Sequence, residues 1–81
     1  MASRNAQTVD REQAQTVFAR LLLERVREDK HPSVTHMAML EQALPPSMTG
    51  AYLNVLLQKV RDEPNPSISL LRRIQRIVQT L

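Results

Sequence analysis

Apolar side chains recur every three to four positions along four stretches of the chain, and prolines separate the stretches. The first stretch includes Val17, Leu21 and Val26 and ends before Pro32. This spacing places apolar side chains along one face of an α-helix, and the residue before a proline disfavours helical backbone. No stretch alternates apolar and polar residues over the length of a strand. The pattern therefore predicts an all-α fold with four helices.

Capping residues and prolines predict where the four helices begin and end. The first helix runs from about 10 to 29, since the Asp10 carboxylate suits an N-cap. The second starts with either Ser33 as its cap or Pro32 in its first turn, and the Pro45-Pro46 pair closes it. The third runs from Ser47 or Thr49 to about position 63, and the fourth follows the next proline pair to the C-terminus.

The helical period also predicts which side chains face inward. On the first helix the predicted apolar stripe comprises seven residues: Ala14, Val17, Phe18, Leu21, Leu22, Leu23 and Val26. On the second it comprises Val34, Met37, Leu40, Ala43 and Leu44. On the fourth it comprises Ile68, Leu71, Ile74 and Val78, with Leu70, Ile77 and Leu81 also at least partly covered.

Residues 18–44 align with residues 52–78 at a constant offset of 34 positions. The alignment pairs Phe18 with Tyr52 and matches two Pro-Ser landmarks, at 32–33 and 66–67. It predicts an internal duplication of a long helix followed by a shorter one. A single hairpin of this kind cannot bury its apolar stripes, so we expect the two tandem hairpins to pack together as one four-helix domain.

Length and composition limit the remaining possibilities. The chain has 81 residues, 42% of them hydrophobic, so we expect one domain over residues 9–81 and a flexible polar tail at residues 1–8. The absence of cysteine suits a reducing cytoplasm. No apolar run approaches the ~20 residues that a membrane-spanning helix needs, and the first residues lack the apolar stretch of a signal peptide. We therefore expect a cytoplasmic protein without membrane association.

The net charge of +3 is concentrated in the last helix. Residues 1–63 carry eight basic and eight acidic side chains, whereas residues 64–81 carry Arg72, Arg73 and Arg76 and no acid. We expect these arginines to form an outer face opposite the apolar stripe. They could contact an acidic protein surface or nucleic-acid phosphates, or they could simply favour the helix dipole and solubility.

Helix 2 provides an internal comparison with this arginine strip. At the positions aligned with the three arginines of helix 4, helix 2 carries uncharged residues. Methionines cluster nearby, and methionine side chains adapt well to binding surfaces. We therefore hypothesise that helix 2 and the Pro45-Pro46 corner form a surface for a partner or for self-association. Packing of the methionines into the core is the alternative. The residues of this hypothetical surface are Met37, Ala38, Met39, Gln42 and Met48.

Motifs for catalysis, cofactors or metals are absent from the sequence. His31 and His36 are five positions apart and do not share a helix face, so a packing role for His36 is favoured over metal binding. There is no glycine-rich phosphate loop. We expect no enzymatic activity and no cofactor.

The sequence favours a protein–protein interaction or regulatory adaptor module, with a homodimer as one possibility. The alternative is a small nucleic-acid-binding protein, which would use either the basic last helix or helices 2 and 3 as a helix-turn-helix. The two prolines of the intervening turn and the mostly apolar third helix count against the helix-turn-helix form.

Overall fold

A computed structural model describes residues 10–81 of the chain. Its four α-helices are α1 (Arg11–Glu28), α2 (Val34–Ala43), α3 (Thr49–Asp62) and α4 (Ile68–Gln79), and the described residues contain no strand. The predicted all-α, four-helix fold is confirmed. The predicted flexible tail at residues 1–8 lies outside the described residues.

Side-chain caps fix the start of three helices. The Asp10 carboxylate accepts a hydrogen bond from the backbone N–H of Gln13 at 2.8 Å. The Ser33 hydroxyl accepts from the N–H of His36 at 3.1 Å, so Ser33 rather than Pro32 begins α2 as its N-cap. Ser67 caps α4 in the same way, accepting from the N–H of Leu70 at 3.0 Å. Each cap satisfies a backbone donor that lacks a partner within the helix.

The Pro45-Pro46 corner turns the chain from the first hairpin into the second. Pro46–Met48 form a single 3₁₀ turn, in which the N–H of Met48 donates to the carbonyl oxygen of Pro45 at 2.9 Å. Helix α3 follows directly at Thr49, one of the two predicted starts. A proline can occupy the first turn of such an element because that position needs no intrahelical N–H.

The helix boundaries of the two hairpins occur at matching positions. Helices α1 and α3 end at Glu28 and Asp62, and α2 and α4 begin at Val34 and Ile68, in each case 34 residues apart. Helix α1 packs on α2, α3 packs on α4, and α1 also contacts α3. The molecule measures 55 × 25 × 17 Å, so the hairpins form an elongated body.

One apolar core lies where the two hairpins meet. Its fully buried side chains come from α1, α2 and α3, and side chains of α4 are only partly buried against it. A core of this size covers only part of the apolar surface of four helices, since small domains bury a smaller fraction of their surface than large ones. The buried apolar residues are Ala19, Leu22, Leu23, Val26, Met37, Leu40, Ala43, Tyr52 and Leu56.

The predicted inner face of α1 is only half correct. Leu22, Leu23 and Val26 are buried, but Val17, Phe18 and Leu21 are exposed, as is Ala14. The physical reason is that α1 contacts α2 and α3 on one side only, so the rest of its wide apolar stripe has no helix to cover it.

The predicted inner face of α4 is only partly correct. Ile68, Leu71 and Val78 are exposed, whereas Leu70, Ile74 and Ile77 pack against the core. Periodicity alone did not separate these two sets, because both belong to one wide apolar side of this helix and the core covers only part of it. Arg73 is buried next to the covered part.

Candidate protein-interaction surface

Three polar side chains from three different helices meet beside the core. The Glu41 carboxylate on α2 accepts a hydrogen bond from the Tyr52 hydroxyl on α3, with Oε2 and Oη 2.6 Å apart. Its other oxygen, Oε1, lies 2.6 Å from Nη1 of Arg73 on α4 and forms an ion pair with it. We call Glu41, Tyr52 and Arg73 the polar cluster. It connects the two hairpins, because Glu41 belongs to the first and its partners to the second.

Burial governs the electrostatics of the polar cluster. Burial raises the pKa of the Tyr52 hydroxyl far above its usual value, and the hydrogen bond to the Glu41 carboxylate raises this pKa further. The Arg73 side chain is 8% exposed and that of Glu41 is 28% exposed, so water reaches only the carboxylate readily. The Nε of Arg73 is buried and has no hydrogen-bond partner within residues 10–81.

The arrangement acts as a structural connection between helices. Tyr52 stays un-ionised and donates its proton to a carboxylate whose other oxygen is already paired. Such a group has neither a low pKa nor an adjacent free base, the two features that activate a nucleophile. The cluster instead links α4 to α2 and α2 to α3 through side-chain contacts.

The predicted arginine strip is divided by this cluster. Arg72 and Arg76 are exposed on α4, as predicted, but Arg73 is buried, so its placement on the outer face was wrong. The reason is electrostatic: a guanidinium can be buried when a carboxylate pairs with it, and Glu41 supplies that carboxylate across the hairpin interface.

The hypothetical methionine surface is likewise divided between core and solvent. Met37 is buried in the core, and Met48 is half-buried against it, so the core-packing alternative holds for Met37. Ala38 is half-buried, while Met39 and Gln42 are exposed on α2. The separation follows the helical period, since Met37 and Leu40 point to the second hairpin and Met39 does not.

The sequence interpretation missed an apolar surface on α1, because it assigned the whole stripe to the core. Phe18, Leu21 and Leu22 line a shallow groove between α1 and α2, and its polar lining residues are Glu24, Arg25, Glu28 and His36. Met39 lies one helical turn after His36 on the same side of α2. The sequence contains no signal for this surface, since it aligns Phe18 with Tyr52, and only the structure separates the exposed Phe18 from the buried Tyr52.

A second groove involves the Pro45-Pro46 corner that the sequence had singled out. Both prolines line it, facing the first turns of α1 around Gln15 and Val17. The Gln15 side-chain amide donates to the carbonyl oxygen of Ala43 at 3.5 Å across its edge. The exposed Val17 makes this groove continuous with the apolar surface around Leu21 on the same helix.

The two histidines lie apart. His31 is exposed, with Nδ1 3.6 Å from the Glu63 carboxylate, and His36 is half-buried, as expected. Within residues 10–81 no three His, Cys, Asp or Glu side chains converge as metal ligands would. None of the described helices is long and apolar enough to cross a membrane.

Comparison of the chain with protein-family models, with curated proteins and with solved structures finds no match.

Proposed function

We propose that this chain is a non-catalytic helical module that binds another protein through apolar side chains exposed on its hairpins. The observation that carries the proposal is the exposed pair Phe18 and Leu21, which lines a groove between α1 and α2, with the exposed Met39 one turn after His36 of that groove. Isolated exposed apolar residues are normal, but neighbouring ones on a small domain mark interaction surfaces. Phenylalanine and methionine are also among the residues enriched at protein interfaces.

The state of the polar cluster supports a binding role over a catalytic one. Tyr52 and Glu41 are the most chemically suggestive pair among the described residues, and they are engaged with each other and with Arg73. Their bonds hold the hairpins together and leave no activated group facing a groove.

The burial of Arg73 counts against the nucleic-acid alternative. Binding to phosphates gains from each cation that reaches the backbone. With Arg73 paired to Glu41, only Arg72 and Arg76 of the predicted strip point outward. Two arginines on one helix provide a weak electrostatic footprint.

The test uses the immobilised chain as bait in an extract of the cells that produce it. Leu21→Glu places a carboxylate in the exposed apolar surface and is compared with wild type. Arg72→Glu, on the exposed side of α4, is the matched control. We expect at least one protein to be retained by wild type and by the control but lost with Leu21→Glu, as identified by mass spectrometry. Retention of nucleic acid that Arg72→Glu abolishes, with no protein dependent on Leu21, would contradict the proposal.

A further inference from the structure

We infer that molecules of this chain stack head to tail, the first hairpin of one molecule packing on the second hairpin of another. The arrangement would repeat the one that joins the two hairpins within a single molecule. This inference rests on the proposed function, because it identifies the bound protein as a second copy of the chain. It follows from comparing positions 34 residues apart.

The interface within the molecule defines which side of each hairpin makes contact. Tyr52 and Arg73 of the second hairpin reach Glu41 of the first through the polar cluster. The Lys59 ammonium donates to the carbonyl oxygen of Asp29, at the end of α1, at 2.7 Å. The second hairpin therefore contacts the first through the side that carries Tyr52, Lys59 and Arg73.

The corresponding side of the first hairpin has no partner among the described residues. Tyr52 is 0% exposed, but Phe18, 34 positions earlier, is 42% exposed. Arg73 is 7% exposed, but Met39 is 39% exposed. Val55 packs against the core, whereas the equivalent Leu21 is exposed. We call Phe18, Leu21 and Met39 the docking face.

The opposite difference occurs on the other side of the hairpins. Leu23 is 5% exposed and the equivalent Leu57 is 36% exposed; Met37 is 5% exposed and the equivalent Leu71 is 43% exposed. Leu44 packs against the core, and its equivalent Val78 is exposed. The second hairpin covers these positions of the first hairpin, whereas no hairpin within residues 10–81 covers the equivalent positions of the second. We call Leu57, Leu71 and Val78 the receiving face.

The chemistry of the two open faces is mutually compatible. In the proposed contact, Gln75 on the receiving molecule takes the place that Glu41 has in the internal interface. Phe18 and Met39 on the docking molecule take the places of Tyr52 and Arg73. The charged pair of the internal interface thus becomes a neutral amide facing apolar side chains. No ionised group of the cluster would be buried without a partner, which would be costly.

The first hairpin also carries a basic residue at the position where the internal interface uses Lys59. Arg25 occupies the position equivalent to Lys59, at the edge of the groove that Phe18 lines. The Lys59 ammonium binds carbonyl oxygens at the C-terminal end of α1, and Arg25 could bind the same end of α3 in the next molecule. A cation favours that end of a helix because the carbonyl dipoles point towards it.

Not every exposed apolar residue fits this pattern, which makes the comparison specific. Val34 and its equivalent Ile68 are both exposed, at the start of α2 and α4. Neither would be covered by a neighbouring hairpin, so Ile68 serves as a control. Because the docking and receiving faces differ from each other, the contact is heterologous and leaves one open face of each kind at the ends of every assembly.

Sedimentation velocity on the purified chain, from micromolar to millimolar concentration, tests the inference. The variants are Leu21→Glu on the docking face, Leu71→Glu on the receiving face and Ile68→Glu as control, with far-ultraviolet circular dichroism to confirm folding. We expect wild type and Ile68→Glu to associate beyond a dimer as concentration rises. Each face variant should be monomeric over the same range, with association weakened about 100-fold by a carboxylate buried without a partner. An equimolar mixture of Leu21→Glu and Leu71→Glu should form a one-to-one dimer.

Two results would overturn the inference. If Leu71→Glu still dimerises while Leu21→Glu does not, the contact joins two docking faces and is not head to tail. If wild type stays monomeric throughout, the partner is not a second copy. In that second case, a different protein retained through Leu21 would leave the proposed function intact, so the two failures are distinguishable.

Discussion

Removal of the Glu41 carboxylate tests whether the polar cluster holds the hairpins together. Glu41→Ala leaves the guanidinium of Arg73, 8% exposed, without a counter-charge, and leaves the Tyr52 hydroxyl without its acceptor. Breaking a fully buried pair in this way costs about 3–5 kcal/mol. Because 28% of the Glu41 side chain reaches water, we expect about 3 kcal/mol, at the lower end of that range.

Removal of the cation should cost less than removal of the carboxylate. In Arg73→Met the carboxylate keeps its bond to Tyr52 and can turn further into water, so we expect a loss of about 1 kcal/mol, as for an ordinary hydrogen bond. The triple variant Glu41→Gln, Tyr52→Phe and Arg73→Met installs the residues of the equivalent positions. It should lie within about 1 kcal/mol of wild type, since no buried charge is left unpaired and the partly exposed amide at position 41 can reach water.

Urea denaturation followed by circular dichroism at 222 nm measures these differences. A domain of this size has an m-value of about 1 kcal/mol per molar urea, so a loss of about 3 kcal/mol lowers the midpoint by about 3 M. The argument depends on the order of the costs rather than on their absolute size. If Glu41→Ala costs no more than Arg73→Met, or if both cost less than about 0.5 kcal/mol, Arg73 is solvated in solution and the cluster does not link α4 to α2.

Three further outcomes are expected. Tyr52 is the only tyrosine, and burial raises its pKa in the folded state. The un-ionised hydroxyl therefore favours folding below the unfolded pKa of about 10, and this contribution to stability is lost as pH rises above that value. Absorbance at 295 nm should rise only together with loss of helicity, and ionisation of Tyr52 near pH 10 in a still-helical chain would contradict this expectation. Ser33→Ala should lower the free energy of unfolding by about 1 kcal/mol by removing the cap of α2, and Ser33→Asp, which can still cap, should not. Leu56→Ala, in the core, should lower the free energy of unfolding by about 2–5 kcal/mol. Leu21→Ala, on the exposed side of α1, should change the free energy of unfolding by no more than about 0.5 kcal/mol when measured on dilute protein. Equal losses for the two variants would contradict the assignment of core and surface.

The four helices and their approximate boundaries can be predicted from the amino-acid sequence alone, although it left the starts of α2 and α3 open between two residues each. Apolar spacing, the serine caps at 33 and 67 and the prolines act over a few residues, so local chemistry is sufficient to fix them. The alignment of residues 18–44 with 52–78 predicted matching helix ends, and those ends occur 34 residues apart. The duplication itself stays a prediction.

Which apolar side chains are covered depends on how the two hairpins pack and cannot be predicted from the helical period. The helical period identifies an apolar stripe but not the side from which the next helix approaches, so it treated Phe18 like Tyr52 and Leu71 like Met37. One hairpin covers a single side of the other, and this breaks the equivalence of the two halves. Arg73 shows the same limit: an arginine in a surface helix is expected to face solvent, and only the approach of Glu41, 32 residues away, makes its burial favourable.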